Sequence, residues 1–262
     1  MKNSARATIW LSLSLIPTIM YAQNDENPYD RSLEPAKSFH QARELIEEGQ
    51  FKHAHAIHQK MFSNIDSYRP NVFFLCVYNL TYDWHRNAQN YQPAMESMLE
   101  YRDALEKRLS KLEGHDHEPS IEDRIDLLTV FSFNEWLKED ARSADLFATI
   151  EDHYRNLADG MYFHCKDALI RAKRFSAIVR YEPDPKLIVV LAAAGLKATI
   201  DARPDLETMA KSRFETAIVD SLDAFSSVGN AAKAEELRKL ALDVLDSERI
   251  RNHSPTAKAN GG

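Results

Sequence analysis

Along most of this chain apolar residues return every three or four positions, the spacing that places them on one side of an α-helix. Strict apolar–polar alternation, the mark of a half-buried strand, does not stand out. Breaks fall near Gly49, Arg69-Pro70, Asn90 to Pro93, Gly114 to Pro119, Asp140, Gly160, Pro183 to Pro185, Arg203-Pro204 and Gly229. They cut the chain into about ten helices. An all-α fold is therefore expected. Pro93 and Pro204 suit a first helical turn, where a missing N–H costs nothing. Ser120 stands where its hydroxyl can accept a bond from an orphan N–H, with Asp123 placed to meet the helix dipole. The segment VFFLCVYNLTYDWH, Val72 to His85, is apolar almost all round, which predicts an inner helix.

Internal similarity accompanies the helical period. Gly49-Gln-Phe51, Gln89-Asn-Tyr91 and Gly229-Asn-Ala231 are each followed, three positions on, by Ala54, Ala94 and Ala234. Large-residue slots follow at His58, Met98 and Arg238, and further slots at Met61, Tyr101 and Ala241. A weaker copy runs from Ala141 to Ala144, then Ala148 and Glu151. The order small residue, aromatic, Ala, large, small, after a first amphipathic helix, resembles the tetratricopeptide repeat. The best copies are SFHQARELIEEGQFKHAHAIHQKM (Ser38 to Met61) and IVDSLDAFSSVGNAAKAEELRKLA (Ile218 to Ala241). The sequence departs from that pattern at Ala42, Tyr82 and Leu222, in a slot usually held by Gly, and at Arg238. The middle, Ile121 to Asp205, matches little. The resemblance covers about half of the chain. It implies a right-handed superhelix of antiparallel helix pairs, in which each pair buries its apolar face on its neighbours.

The first 22 residues change the picture of the compartment. Lys2 and Arg6 precede the apolar run Ala7 to Ala22, the pattern of a cleaved export signal. The run is short for a bilayer span and holds Pro17. Residues 1–22 are thus expected to be a signal peptide and 23–32 a flexible leader. A helical domain follows at 33–250, then a disordered tail at 251–262. A periplasmic or secreted protein is expected, with no transmembrane span after cleavage and no lipid-attachment Cys after the apolar run. The formal net charge of −7 disfavours nucleic acid, whose binding needs a basic surface. Cys76 and Cys165 can pair in an oxidising compartment, but each sits in an apolar stretch that suits a small buried hydrophobe.

Three histidines, His53, His55 and His58, crowd one segment. At 100° per residue His58 shares an arc with Ala54, Ile57 and Met61, His55 lies at its edge and His53 points away. A core role is expected rather than a zinc site, which takes at least three protein ligands. His115 and His117, with Asp116 and Glu118, form a second cluster in a loop, where a weak metal site is the alternative to a solvated loop. The motifs HExxH, GxSxG, GxxxxGK[ST] and GxGxxG are absent. No cofactor is expected, and a non-catalytic role is.

The resemblance also implies where a partner would sit. Such repeats grip a peptide or helix on the concave surface made by the first helix of each pair. Carried onto this chain, the slots are Phe39, Arg43 and Glu47 in the first copy, Asn79, Asp83, Arg86 and Asn87 in the second, and Val219 and Asp223 in the last. Arg43 and Arg86 have the fork geometry that holds a carboxylate. The expected function is a scaffold or adaptor for another envelope protein. The alternative is an envelope hydrolase, or a metal or small-ligand binder, with its site in residues 121–205.

Overall fold

The computed structural model describes residues 34–63, 70–112 and 118–254, with side chains from 37–63, 77–112 and 118–254. The proposed signal, the leader and the His115/His117 cluster lie outside them, as does the side chain of Cys76. The fold is all-α. Among the described residues there are twelve α-helices and no strands: α1 Glu34–Glu47, α2 Phe51–Ser63, α3 Pro70–Ala88, α4 Gln92–Leu109, α5 Ile121–Leu137, α6 Asp140–His153, α7 Arg155–Arg171, α8 Phe175–Tyr181, α9 Pro185–Ala202, α10 Glu207–Ser227, α11 Ala231–Val244 and α12 Glu248–Arg251. The Ser120 hydroxyl accepts from Asp123 N at 3.0 Å, and Asn230 and Ser247 cap α11 and α12 in the same way. Pro93 opens α4 as expected. Pro204 instead opens a short 3-10 turn, Pro204–Leu206, that leads into α10.

Four of the connections are one turn used repeatedly. Gly49, Lys138, Lys173 and Gly229 all have positive φ, between 58° and 79°. In each turn the next residue's N–H reaches back to a carbonyl in the preceding helix: Gln50 to Leu45, Glu139 to Asn134, Arg174 to Leu169 and Asn230 to Phe225. This is a left-handed helix stop that satisfies otherwise orphaned carbonyls. Each time, a new helix starts two residues after the left-handed one. The sequence marks this turn by glycine in the first and last cases. In the middle it is filled by lysine, so no glycine marks those two turns.

The described residues divide into two compact units, 34–168 and 169–254. In the first, α1 packs on α2, α3 on α4 and α5, and α5 on α6. Its core is aromatic. Buried Trp84 stands 4.8 Å from Phe62, 5.8 Å from Phe133 and 6.0 Å from Tyr101, ring centre to ring centre. The indole N–H donates to Ala94 O at 3.1 Å, so its polar atom is not stranded. The repeat positions Ala42, Ala54 and Ala94 are buried, which lets the paired helices approach. α5 is the helix buried on nearly every side, from Ile125 to Asn134. α3, expected to be an inner helix, instead leaves Tyr78 and Tyr82 exposed along one stripe.

The core of the second unit is mostly aliphatic, with two phenylalanines: Ile188, Val189, Phe214, Ile218, Leu222, Phe225, Leu237, Ala241 and Ile250. Arg238, which takes the place of a large apolar residue in the repeat pattern, has a visible task. Its guanidinium donates to the carbonyls of Arg251 and His253 at 3.0 Å and of Ile250 at 3.4 Å. His253 Nε2 lies 2.9 Å from Asp223 Oδ1. The expected domain end at 250 therefore falls inside α12, and ordered contacts run on to His253.

Candidate protein-binding face

α1 and α3 bring together most of the residues that the sequence marks for partner binding. Asp83 is fully buried, and Arg43 reaches it from α1, with Nε 3.1 Å from Oδ2. Arg86, one turn along α3, lies 3.9 Å from Oδ1, an ion pair without a hydrogen bond. Burial raises the Asp83 pKa from the ordinary carboxylate value; Arg43 and Arg86 pull it down, and Glu47 adds to the rise. The guanidiniums also lie over rings, Arg43 at 4.6 Å from the Phe39 centre and Arg86 at 5.9 Å from that of Tyr82. Both arginines keep about a third of their side chains exposed, 31% and 36%. Asp83 thus anchors two arginines from behind while their outer sides face solvent.

The other marked residues divide. Glu47 is exposed, and Phe39 and Asn79 are half-buried. Asn87 is fully buried, and neither of its amide atoms has a hydrogen-bond partner. Asp83 and Asn87 therefore stand behind the surface rather than on it. In the last copy Val219 is half-buried and Asp223 is engaged with His253.

Sequence reasoning missed the aromatic part of this face. Trp136, in the last turn of α5, lies between Tyr78 and Tyr82 of α3, at 4.7 and 4.9 Å. It also stacks on His85, 6.4 Å away with planes 16° apart. The Trp136 indole N–H donates to Thr81 Oγ1 at 3.3 Å. Tyr78 and Tyr82 are 43% and 39% exposed. Their four-residue spacing is a sequence signal for a shared helix face. Nothing in the sequence says that Trp136 closes the gap between them.

The histidines separate as the helical wheel predicts. His53 is exposed, with Nδ1 3.3 Å from Gln50 Oε1. His55 is buried at the edge. His58 is fully enclosed and stacks on Trp84, planes 15° apart. Neither His58 ring nitrogen has a partner. Burial, with help from His55, lowers its pKa to about 3, so it is neutral at physiological pH. Among the described residues no group of three His, Cys, Asp or Glu stands close enough to hold a metal ion.

In the segment 121–205, the buried carboxylates have ion-pair partners. Asp123 and Asp126 both pair with Arg108, and Glu151 lies 3.5 Å from Arg155. Cys165 is buried, its thiol donating to Ser143 O at 3.7 Å. No described helix is long and apolar enough to cross a membrane. Comparison with protein-family models, with curated proteins and with solved structures gives no match.

Proposed function

We propose that this chain is an exported, non-catalytic adaptor that binds another envelope protein through the face formed by α1, α3 and the end of α5. The reading takes the helix pairs as tetratricopeptide-like and the first helix of each pair as the gripping surface. The carrying observation is the composition of that face. Arg43, Arg86, Tyr78, Tyr82 and Trp136 are partly exposed yet held in place, the arginines by Asp83 and by the Phe39 and Tyr82 rings and the tyrosines by Trp136. Arginine, tyrosine and tryptophan are the residues on which binding energy concentrates in protein interfaces. Their fixed positions lower the entropy lost when a partner docks. The apolar run at residues 7–22 supports export.

The test is affinity purification of the chain from its native envelope after mild cross-linking, wild type beside Arg86→Glu. A specific partner recovered with wild type and lost with Arg86→Glu, at unchanged melting temperature, supports the reading. A partner kept by the variant moves the contact off this face. No specific partner overturns the adaptor reading.

A further inference from the structure

We propose that two copies of this chain associate through the outer side of α9, laid end for end as a weak antiparallel pair. The surface belongs to residues 169–254, so the proposal stands apart from the adaptor reading.

α9, PKLIVVLAAAGLKATIDA, is apolar on two sides, and only one of them is packed. Ile188 and Val189 are buried, and Ala192, Ala193 and Leu196 pack on the same core. That side meets α10 and α11. On the opposite side Leu187 and Val190 are 45% and 53% exposed. Ala194 and Ala198 are exposed as well, and Leu191 is half-buried. At about 100° per residue these five fall within one strip along the helix.

The order of sizes along the strip points to its occupant. Leu187, Val190 and Leu191 crowd the N-terminal half, whereas the C-terminal half holds Ala194, Ala198 and Ala202. Such a taper is the complement of its own reverse. Turned end for end about Ala194, a second copy lays its alanines over Leu187 and Val190 and receives alanines under its own. A parallel pair would set large residues against large and leave a gap between the alanines.

The charges have the same self-complementarity. Lys186 and Asp201 are exposed near opposite ends of α9, and the helical period puts both on one flank of the strip. A twofold axis at right angles to the helix brings like flanks together. Each Lys186 thus meets the Asp201 of the other copy, once at either end. Asp201 holds Lys197 of its own helix at 2.6 Å yet stays 61% exposed, which leaves room for a second cation. In a parallel pair Lys186 would face Lys186.

The strip measures about 27 Å by 10 Å, well below the roughly 800 Å² per side of a standard interface, so the pair should form only at high concentration. A bilayer surface is the poorer match. An interfacial helix buries large apolar residues along its whole length between basic flanks, and here half the strip is alanine and Asp201 stands on the flank.

The test is sedimentation equilibrium of the full-length chain from about 10 µM to 1 mM, a range that reads weak dissociation constants. A monomer–dimer equilibrium is expected. Val190→Glu, at an exposed helical site, should raise the dissociation constant at least about tenfold at unchanged melting temperature. Lys186→Asp should weaken the dimer a few-fold, and Lys186→Asp with Asp201→Lys should restore it. Mild oxidation gives the orientation. Ala194→Cys, next to the axis, should form an interchain disulfide. Ala202→Cys should not, because in an antiparallel pair its copies lie about 24 Å apart, beyond the reach of a disulfide. The wild type, with Cys76 and Cys165, is the blank. A monomer throughout the range, a dimer that Val190→Glu leaves intact, or an Ala202→Cys disulfide as ready as that of Ala194→Cys would each overturn the proposal. So would binding of anionic vesicles through α9 by a chain that stays monomeric without them.

Discussion

The two units solve the same packing problem with different chemistry. Residues 169–254 bury a mostly aliphatic core, Phe214 and Phe225 included, and keep ion pairs such as Lys197–Asp201 and Arg203–Asp205 at the surface. Exposed pairs of that kind contribute little to stability. Residues 34–168 bury rings and charges together. Arg102, almost fully enclosed, donates to Glu139 at 2.7 Å, to Asp103 at 2.9 and 3.0 Å and to Asn134 at 3.4 Å. Arg142 grips Glu106 with Nε 2.7 and 2.8 Å from its two oxygens, and Asn134 donates to the same carboxylate at 3.2 Å. One network thus ties α4, α5 and α6. Aliphatic side chains tolerate small slips in packing, whereas a hydrogen-bonded network admits one register. The unit that carries the candidate face is the one with the fixed register, which suits a surface whose exposed rings and arginines must keep their spacing.

The largest test of this contrast compares the two cores. Trp84→Ala should cost about 3–5 kcal/mol and Leu237→Ala about 2–5 kcal/mol. Native-state hydrogen exchange should place the loss in 34–168 for the first and in 169–254 for the second. A loss spread evenly over both would show that the units unfold as one.

Next comes the buried network. Arg102→Met should cost about 2–3 kcal/mol, because Asn134 and the partly shielded carboxylates lose their donor. A double-mutant cycle with Arg142→Met should show coupling, read by denaturant unfolding. Strict additivity would break the claim that the two arginines act as one network.

Acid should separate the units as well. His58 binds a proton in the unfolded chain near pH 6.5 but in the fold only near its lowered pKa of about 3. Between those values the unfolded state holds more protons, so stability falls as pH falls, by about 1.4 kcal/mol per pH unit at most. Asp83, raised by burial, works in the opposite sense, gaining a proton in the fold before it does in the unfolded chain. His55, His85 and His164, whose pKa values burial also lowers, add to the loss in 34–168, and His58→Leu should make its slope shallower. Thermal melts at pH 7, 6 and 5 measure the slope. An unchanged slope in the variant would count against this assignment.

The smallest effect concerns the turns. Lys138 and Lys173 hold left-handed backbone that favours glycine. Replacing either by Gly should stabilise by up to about 1 kcal/mol, while Gly49→Ala and Gly229→Ala should destabilise by about as much. Chemical denaturation resolves both signs.

The all-α class and most helix limits were legible because apolar periodicity and capping chemistry act over a few residues. The glycine turns at 49 and 229 and the burial of Ala54, Ala94 and His58 follow from that local order. The lysine turns were not legible, since a left-handed lysine is chosen by the packing of the helices on either side and not by its own preference. The task of Arg238 was hidden for a similar reason, because the carbonyls it binds belong to a segment that only the fold returns to it. At the candidate face, the resemblance implied Phe39, Arg43, Asp83 and Arg86 as slots on the first helices of their pairs. Only tertiary structure decided that Asp83 and Asn87 lie behind that face and that Trp136 joins Tyr78 and Tyr82 from a helix far along the chain. Local periodicity determines which side of a helix is apolar. Which residues meet across two helices depends on how those sides pack, and that is settled by the whole core at once.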